Sequence, residues 1–397
     1  MKANRRLFFL ISTPQPLLTS LAAALAASGS PWAGARLERL KDKGLAHDHV
    51  RLCGTGVLAR IPKQSQLLLS ASDNLVYQRA CFERASAAGH APHLRGLLAP
   101  SLHLPRGALL VEEIVGRNAA LPADLGLIVQ ALASIHRCAL PPVAQRHPLI
   151  NAPDPLAAML DEVTAQAQHV PAASVGADIE AVIHAELARL RTACERPERP
   201  QRHLIAFDGH PGNFIIRVVT RAGAGARAGA GADSQSEAVL VDLEKCRYSY
   251  PGFDLAHATL YTSTTWDIDS HAVLDQADVV GAYETWARAV SSVTSDTADS
   301  EDAAKTANVA NVARAAKAWH VPLRRAMWLW SITWCAKWRA LSGQASHASA
   351  DGEDWSTEHS DSALVDHVRG RVDHYLSPAV VAHVLAEFDA LDQALGL

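Results

Sequence analysis

Two short β-like runs interrupt a part of the chain whose pattern is otherwise helical. The first, HLIAFDGHPGNFIIRVV at 203–219, carries Asp208 and Asn213 on a short turn between two apolar stretches. The second, VLVDLEKCRYSYPGFDLAHAT at 239–259, has Asp242 at the end of a Val/Leu-rich stretch and Asp254 further on. Short apolar stretches bounded by turn residues are typical of buried strands. We therefore expect these polar side chains to converge inside a mostly helical region.

These residues are the parts that phosphoryl transfer from ATP requires. An aspartate accepts the hydroxyl proton, and an Asn and a further Asp hold Mg²⁺. Such hard oxygen ligands suit Mg²⁺, which keeps its other positions for water and phosphate. For Asp208 and Asn213 taken alone, the alternative is an Asx-rich turn between strands, with Pro211 and Gly212 in the turn. The addition of Asp242 favours the chemical interpretation.

The rest of the chain divides into a small mixed part and a large helical part. Strand-like stretches at 49–61 and 108–116 flank a helical stretch at 73–89 that ends at a glycine. Further on, 125–140 has a 3.6-residue apolar period and 177–193 predicts a long helix. We expect an N-terminal extension at 1–35, an N-lobe with its hinge at 36–116, and a helical C-lobe at 117–397.

Three low-complexity or polar segments are expected to lie outside this framework. The Ala/Gly-rich insert at 221–237 predicts a flexible hairpin tip. The polar stretches at 293–306 and 342–361 predict exposed loops.

Several motifs resemble those of the aminoglycoside phosphotransferase and choline-kinase-like family. That family carries H-G-D-x-H-x-x-N, then an I-D-[WF]-E-type strand end, then D-L-A. The corresponding stretches here are AFDGHPGN (206–213), VDLE (241–244) and FDLA (253–256). Upstream, LLVEEIVG looks like the family's hinge and ALASIHRCALPP looks like its L-x-x-L-H segment. The resemblance covers most of 50–260 and implies an α+β, two-lobed protein-kinase-like fold with a small β-rich N-lobe and a large, mostly helical C-lobe.

The resemblance also implies an activity and a set of roles. The activity is the transfer of the γ-phosphoryl group of ATP, with Mg²⁺, to a hydroxyl of a small molecule. Asp208 takes the position of the base, and Asn213 and Asp242 take those of the metal ligands. We expect His210 to brace the turn, and Asp254 to cap the next helix and accept hydrogen bonds from the catalytic loop.

The N-lobe should supply a cation for the ATP phosphates and a carboxylate that holds this cation. Arg60 or Lys63 is the candidate cation, and by spacing its helical partner falls near Gln78, with Glu83 somewhat late. The alternative for Arg60 is a solvated charge on a strand. The CGTG turn at 53–56 is a weak candidate for a turn over the phosphates, where glycine lets backbone N–H groups approach.

The hinge is expected to present backbone groups to adenine. Its candidate residues are Glu112, Glu113 and Ile114, and the alternative is a plain buried strand. Glu244 leaves two interpretations open, contact with a second metal ion or with solvent only.

One position departs from the family pattern. Where the family has His-Gly before the catalytic aspartate, this chain has Ala206 and Phe207. The missing histidine supports the loop in the family, so we expect a different brace, from His210 or His203.

Composition excludes some classes of protein. Of the 397 residues 49% are hydrophobic, the net charge is −4, and no Lys/Arg stripe suggests a nucleic-acid partner. The six cysteines are scattered without a C-x-x-C pair, as expected for buried thiols in a reducing, cytoplasmic compartment. The apolar stretch MWLWSITWCA is too short to span a bilayer and predicts a buried helix, so no membrane partner is expected.

The first 35 residues fit two interpretations. The basic MKANRR, the apolar LFFLISTPQPLLTSLAAALAA and the small residues of ASGSPWAGA follow the outline of a secretory signal. Two internal prolines and a site that requires ATP favour an upstream extension followed by a helix, Leu17–Ala27, packed on the first lobe.

The acceptor pocket is expected among the C-terminal helices. The segment 261–278 contains four aspartates, which could bind an aminosugar or amine or could form a solvated helix face. Together with Trp328, the residues Trp330, Trp334 and Trp338 could form an aromatic cage, but the four-residue spacing of the last three favours core packing.

Two other functions stay open at this point. The altered N-lobe pair and the lost histidine are compatible with a nucleotide-binding protein that has weak or no transferase activity. A metal-dependent hydrolase that uses Asp208, His210 and Asp242 ranks behind it. The acceptor itself is not identified, because kinases of aminoglycosides, choline-like amines, sugars and amino alcohols share these motifs.

Overall fold

A computed structural model gives the structure of residues 17–41, 44–221, 233–291, 316–343 and 360–395. The elements of the N-lobe are α1 (Leu17–Ala27), β1 (Leu37–Arg39), β2 (His47–Leu52), β3 (Val57–Pro62), α2 (Ala71–Ala85), β4 (Leu94–Leu98) and β5 (Ala108–Glu112). Those that follow are β6 (Arg117–Asn118), α3 (Leu125–His136), α4 (Pro155–Ala167), α5 (Ala177–Glu195), β7 (His203–Ile205), β8 (Phe214–Arg221), β9 (Asp233–Leu240), β10 (Arg247–Ser249), α6 (Pro251–Thr259), α7 (Tyr261–Thr264), α8 (Gln276–Ser291), α9 (His320–Leu341), α10 (Ser362–Tyr375) and α11 (Pro378–Leu395).

Some of the predicted segments lie outside the described residues. They are the start of the N-terminal extension, all of 293–306, and most of 221–237 and 342–361. The described part of the Ala/Gly-rich insert belongs to the strands of a hairpin, in which Arg221 pairs with Asp233.

The N-lobe is built on one antiparallel sheet with the strand order β1-β2-β3-β5-β4. Helix α2 follows β3 and is capped by Ser70, whose hydroxyl accepts a hydrogen bond from the Asp73 N–H at 3.1 Å. A 3₁₀ turn, Ser86–Ala88, follows α2 and is closed by Gly89, whose φ of 79° is a left-handed conformation that favours glycine. The predicted helix between strands is confirmed, and it carries its inner face into the core beneath the sheet.

Helix α1 packs on the other side of this sheet. Its residues Leu21 and Leu25 are fully buried against Val50, Leu52 and Leu110. The predicted helix Leu17–Ala27 on the first lobe is therefore confirmed.

A short connection carries the chain from this sheet into the second lobe. After β5 ends at Glu112, β6 pairs with β8 in a three-stranded sheet of order β6-β8-β9. Gly116 lies at the crossing, where any Cβ would overlap the carbonyl oxygen of Ile216. Only glycine lets the two chain segments approach this closely, so Gly116 sets the position of the hinge against the C-lobe.

The large lobe is helical around α9. This helix packs against α4, α5, α6 and α10, and Met327, Trp328 and Leu329 on it are fully buried. The apolar stretch on α9 is thus a buried helix, as predicted, and no helix of the described residues is long and apolar enough to cross a membrane. The α+β, two-lobed architecture predicted from the sequence is confirmed.

Candidate functional site

A cavity of about 500 Å³ lies between the two lobes. It gathers residues from the N-lobe strands, the hinge, the loop after β7 and the turn after β9. The predicted site residues that line it are Arg60, Lys63, Glu112, Glu113, Ile114, Asp208, His210, Asn213 and Asp242. The remaining predicted residue, Asp254, is fully buried beneath them.

The hairpin of β8 and β9 places the three central residues together. Phe214 pairs with Leu240 at the end of the ladder, so Asn213 and Asp242 lie just beyond the ends of neighbouring strands. The ladder continues by one bond, from the N–H of Val241 to the carbonyl oxygen of Asn213 at 2.9 Å. The side-chain Nδ2 of Asn213 donates to the backbone oxygen of Asp208 at 2.9 Å. The alternative of an isolated Asx turn therefore does not describe this arrangement.

Asp208 lies between a lysine and a histidine. Lys245 Nζ donates to its Oδ2 at 2.7 Å, and His257 Nδ1 is 3.7 Å from its Oδ1. Burial on its own would raise the pKa of Asp208, but the charge of Lys245, with smaller effects of His257 and His210, holds that pKa below its usual value. Asp208 is therefore an anion at neutral pH and can accept a proton.

The loop that carries Asp208 is fixed from below by Asp254. Its carboxylate accepts hydrogen bonds from the N–H groups of Ala206 at 2.8 Å and Phe207 at 2.7 Å. His136 Nε2 lies 2.9 Å from the same carboxylate, and Trp286 Nε1 donates to His136 Nδ1 at 2.9 Å. Because the indole can only donate, Nδ1 of His136 is the acceptor and its Nε2–H donates to Asp254. A chain of matched donors and acceptors thus fixes the loop.

The sequence suggested that Asp254 caps helix α6, but this prediction is wrong. Helix α6 begins at Pro251, so Asp254 lies within its first turn, where a carboxylate is favoured by the helix dipole. Its expected bonds to the catalytic loop are present.

Phe207 adopts a left-handed backbone conformation, with a φ of 64°. In the motif that this stretch resembles, the position is a glycine, for which this conformation is free of strain. The ring of Phe207 packs edge-on against Trp330 at 5.4 Å and under the guanidinium of Arg247 at 3.5 Å. Packing and the bond to Asp254 therefore hold a residue that would not adopt this conformation by itself.

The sequence did not identify the residue that braces the loop of Asp208, for which His210 or His203 was expected. His203 Nδ1 bonds to the carbonyl oxygen of His136 at 2.6 Å, and His210 Nδ1 is buried with no hydrogen-bond partner in the described part of the chain. Instead, His257 Nδ1 bonds to the carbonyl oxygen of Phe207 at 3.2 Å. Burial lowers the pKa of His257 to about 4, so its neutral ring donates this bond. The sequence did contain a signal for this role: His257 follows Asp254 by three residues on α6, and residues at that spacing share a helix face.

Arg60 crosses the cavity to the second lobe. Its guanidinium bonds to Asp242 Oδ1 at 2.7 Å and to the carbonyl oxygen of Val241 at 2.8 Å. The side chain is 4% exposed, so the interpretation of Arg60 as a solvated strand charge is wrong. Burial would raise the pKa of Asp242, and Arg60 and His47 outweigh it and hold that pKa well below the usual range. Lys63 Nζ lies 4.0 Å from Asp48 Oδ1, at the wall of the same cavity.

Gln78 lies behind the cavity wall, where its hydrogen-bond partners are His47 and Glu244, whereas those of Arg60 are Val241 and Asp242. His47 Nε2 lies 3.2 Å from Gln78 Oε1, and Gln78 Nε2 donates to Glu244 Oε2 at 3.4 Å. Burial and the charge of Asp242 raise the pKa of Glu244 to about 8, and burial with the charge of Arg60 lowers the pKa of His47 to about 3. The three side chains are thus uncharged at neutral pH. Glu244 is 6% exposed, which excludes contact with solvent only.

Two other N-lobe candidates lie away from the cavity. Glu83 pairs with Arg79 at 2.7 Å on the exposed face of α2. The turn at 53–56 joins β2 to β3, and none of its residues lines the cavity. The connection between β1 and β2 does line the cavity, through Leu40, Lys41 and Gly44–Ala46.

Of the three hinge candidates, Glu112, Glu113 and Ile114, two use their backbone N–H groups in hydrogen bonds within the described part of the chain. The N–H of Glu112 donates to His93 O at 2.8 Å, and the N–H of Glu113 donates to Gly56 O at 2.9 Å. Ile114, the next residue, lines the cavity. The backbone of Ile114 is therefore the group that the hinge can offer to a ligand.

Aromatic rings line the cavity on the side of the C-terminal helices. Trp330, Trp334 and Trp338 all face it, so their interpretation as core residues is only partly right. Trp266 lies edge-on to Trp334 at 5.8 Å and lines the same surface. Trp328 instead packs against Phe388 in the core, at 5.9 Å.

The four aspartates of 261–278 have different surroundings. Asp267 lines the cavity, and its carboxylate lies against the turn between Asp208 and Asn213, where a Cβ on Gly212 would meet it at 2.8 Å. Asp269 accepts a hydrogen bond from Asn118 at 2.8 Å. Asp275 and Asp278 bond to each other's backbone N–H at the start of α8. A single carboxylate of this segment thus faces the cavity.

Comparison with known proteins is informative at the level of the fold. No protein-family model and no curated protein sequence matches the chain. The structure is similar to ethanolamine kinase of Plasmodium vivax, with a TM-score of 0.55 and 11% identity over 95% of this chain and 93% of that one. It is similar to choline kinase of Cryptosporidium parvum, with a TM-score of 0.55 and 10% identity over 95% and 97% of the two chains.

An aminoglycoside-modifying protein is also similar. The GDP complex of aminoglycoside 2′-phosphotransferase-IIIa has a TM-score of 0.50 and 10% identity over 91% of this chain and 99% of that one. The chain therefore has the protein-kinase-like fold that choline/ethanolamine kinases and aminoglycoside phosphotransferases share.

Proposed function

We propose that this protein transfers the γ-phosphoryl group of ATP to a hydroxyl of a small molecule. The observation that carries the proposal is the convergence of Asp208, Asn213 and Asp242 on the floor of one cavity between two lobes. The same fold occurs in proteins named as ethanolamine kinase, choline kinase and aminoglycoside phosphotransferase.

Asp208 would be the base of this reaction. It is ionised, and Oδ1 is the oxygen that Lys245 leaves open. The proton of the acceptor hydroxyl would pass to Asp208 as the new bond to phosphorus forms.

The residues present fit a magnesium ion. The nitrogen of Asn213 is engaged by Asp208, so its amide oxygen is the atom that it can offer to a cation. Asp242 uses Oδ1 for Arg60 and can offer Oδ2. An amide oxygen and a carboxylate oxygen suit Mg²⁺, which offsets the charge of the phosphates when it is bound.

The nucleotide would lie between the hinge and Arg60. The backbone of Ile114 would meet adenine, and Arg60 or Lys63 would meet the phosphates. A guanidinium binds two phosphate oxygens at once, which favours Arg60 as the main anchor.

For the acceptor, we propose an alcohol that carries an amine. Asp267 supplies one carboxylate beside the catalytic turn, and the tryptophans around it supply ring faces that attract a cation. A second candidate function is nucleotide binding without transfer, which the engagement of Asp242 by Arg60 favours.

The first experiment incubates the protein with Mg-ATP and a panel of alcohols, and compares Asp208→Asn with wild type. We expect the substitution to lower kcat about 10²- to 10⁴-fold, while nucleotide affinity stays nearly unchanged. The matched control is Asp366→Asn, which removes a carboxylate that is 72% exposed on α10. If nucleotide binds but neither an acceptor nor ATP is turned over, the second candidate function is supported and the first is rejected.

The second experiment tests the class of acceptor. Choline, ethanolamine and an aminosugar are compared with 3,3-dimethylbutan-1-ol, which has the shape of choline without its charge. Asp267→Asn should raise KM for the amines and leave KM for the uncharged alcohol unchanged. Equal use of charged and uncharged alcohols by the wild type would reject an amine acceptor.

A further inference from the structure

Behind the proposed magnesium ligands, three side chains lie close enough together to hold another metal ion. They are His47, Asp242 and Glu244, and one ligand atom from each lies within 4.8 Å of the other two. All three line the cavity, and Asp242 is 27% exposed, so the cavity gives an ion access to them. His47 belongs to β2 of the N-lobe, whereas the two carboxyl groups follow β9 in the C-lobe. An ion at this position would therefore join the two lobes.

The hydrogen bonds of Gln78 leave a gap between His47 and Glu244 that suits a cation. Oε1 of Gln78 lies 3.2 Å from His47 Nε2 and can only accept, so Nε2 carries the ring proton and Nδ1 presents a lone pair. Nε2 of Gln78 donates to Oε2 of Glu244 at 3.4 Å, so this oxygen is an acceptor as well. Nδ1 and Oε2 are 3.5 Å apart, which is longer than a usual hydrogen bond. Two ligands of a tetrahedral ion, each bound at about 2.1 Å, are separated by about 3.4 Å.

Gln78 also supplies the surroundings that metal ligands require. A histidine ligand usually donates its second ring N–H to an oxygen, and a ligating carboxylate is usually hydrogen-bonded as well. Gln78, which is 1% exposed, makes both contacts. One imidazole nitrogen and two carboxylate oxygens favour an ion such as Zn²⁺ over Mg²⁺, and three protein ligands leave a fourth position for water.

We propose that His47, Asp242 and Glu244 bind a divalent transition-metal ion of the zinc class, and that this ion inhibits the transfer. Arg60 holds Oδ1 of Asp242, so the inhibitory ion and Mg²⁺ would compete for Oδ2. The ion takes the place of the proton on Glu244, because a carboxyl group must be ionised to bind a metal. The binding is independent of the proposed function, whereas the inhibition rests on it.

The test titrates the protein with Zn²⁺ alone by calorimetry, and then measures acceptor phosphorylation in Mg-ATP at fixed free Zn²⁺. We expect wild type to bind Zn²⁺, and His47→Gln and Glu244→Gln each to raise the Kd on the order of 100-fold. Phosphorylation by wild type should be lost at Zn²⁺ concentrations that fill the site, and excess Mg²⁺ should restore it. The matched control is His184→Gln, which removes a histidine that is 65% exposed on α5 and should bind Zn²⁺ as wild type does.

The outcomes separate the site from its effect. If wild type binds no Zn²⁺, or binds it with the same Kd as both variants, the proposal is wrong and any binding is adventitious only. If His47→Gln does not fold, Glu244→Gln decides by the same comparison, because its amide keeps the shape of the carboxyl group. If the variants lose the site but Zn²⁺ leaves phosphorylation by wild type unchanged, the inhibition is rejected. A wild type that turns over neither acceptor nor ATP rejects the proposed function and the inhibition, and the calorimetry still decides the metal site.

Discussion

The two walls of the cavity reach their geometry in different ways. On the C-lobe wall, Asp254 accepts bonds from the catalytic loop and from His136, and each donor has a matched acceptor. On the N-lobe wall, Arg60 crosses directly to Asp242, and Gln78 lies between two uncharged groups. In the proposed function, the C-lobe wall positions the carboxylate that acts as the base, whereas the N-lobe wall balances charge around the nucleotide. We infer that the first depends on the identity of its residues more strictly than the second.

The strictest test of this difference is Asp254→Asn. The amide would place an NH₂ group against donors that now meet a carboxylate, and an unsatisfied buried donor costs about 1–3 kcal/mol. We expect unfolding in urea to show a loss of about 3 kcal/mol, and kcat to fall more than 100-fold because the loop moves.

The control for this change is Asp361→Asn at the start of α10. Asp361 caps that helix through the N–H of Ala363 at 2.8 Å, and Asn caps a helix as well as Asp does. If Asp254→Asn changes the free energy of unfolding and kcat as little as Asp361→Asn does, the C-lobe wall does not depend strictly on the identity of its residues.

The sequence was sufficient for the three central residues of the site because they lie in two neighbouring stretches of the chain, whereas the contacts of His136 and His257 with the C-lobe wall were not apparent from it. Asp208 and Asn213 share one turn, and the strand before Asp242 pairs with the strand after that turn. The N-lobe wall depends on tertiary contacts instead. Nothing local to Arg60 indicates a partner 182 positions away, and His47 has no motif around it. Phe207 was noted as a departure, but its left-handed conformation depends on packing that only the fold reveals.

The second prediction addresses the N-lobe wall through Arg60→Met. Loss of the guanidinium should weaken nucleotide binding about 10- to 100-fold, because a desolvated, charge-assisted contact with phosphate is removed. Titration of the protein with Mg-ADP measures this effect. The free energy of unfolding should fall as well, because the loss of the 4% exposed Arg60 side chain leaves Asp242 Oδ1 and the carbonyl oxygen of Val241 without this donor.

Arg79→Met is the matched control on the same lobe. Arg79 pairs with Glu83 on the surface of α2, and its side chain is 56% exposed. An equal loss of nucleotide affinity in both variants would show that Arg60 acts through the fold of the lobe and not as a phosphate anchor.

The third prediction concerns pH and distinguishes the walls by their titrating groups. His257 on the C-lobe wall has a pKa lowered to about 4 by burial, so the unfolded chain binds a proton below pH 6.5 that the folded chain does not. Stability should therefore fall by about 2 kcal/mol between pH 7 and 5 on account of this residue.

At the N-lobe wall, two groups have opposing effects on stability, His47 of β2 and Glu244 of the turn after β9, which lies against it. His47, with a pKa lowered to about 3, also favours the unfolded chain as pH falls below 6.5. Glu244, with a pKa raised to about 8, holds a proton in the folded chain between pH 4.5 and 8, so its contribution to stability grows as pH falls through that range. Urea unfolding at pH 7 and 5 should show that His257→Asn weakens the acid loss and Glu244→Gln strengthens it. The same sign for both variants would contradict this assignment.

The last prediction asks whether the N-lobe wall tolerates an exchange of partners. Gln78→Glu brings a second carboxyl group to the Oε2 of Glu244, which now lies 3.4 Å from the amide nitrogen, and removes a hydrogen-bond donor from a buried position. We expect a loss of about 1–2 kcal/mol in the free energy of unfolding. The double variant Gln78→Glu with Glu244→Gln keeps one carboxyl and one amide in contact and should recover most of that loss. Because the two side chains touch, their effects should be non-additive. If the loss in the double variant equals the sum of the losses in the single variants, the N-lobe wall depends on the identity of its residues as strictly as the loop around Asp254 does.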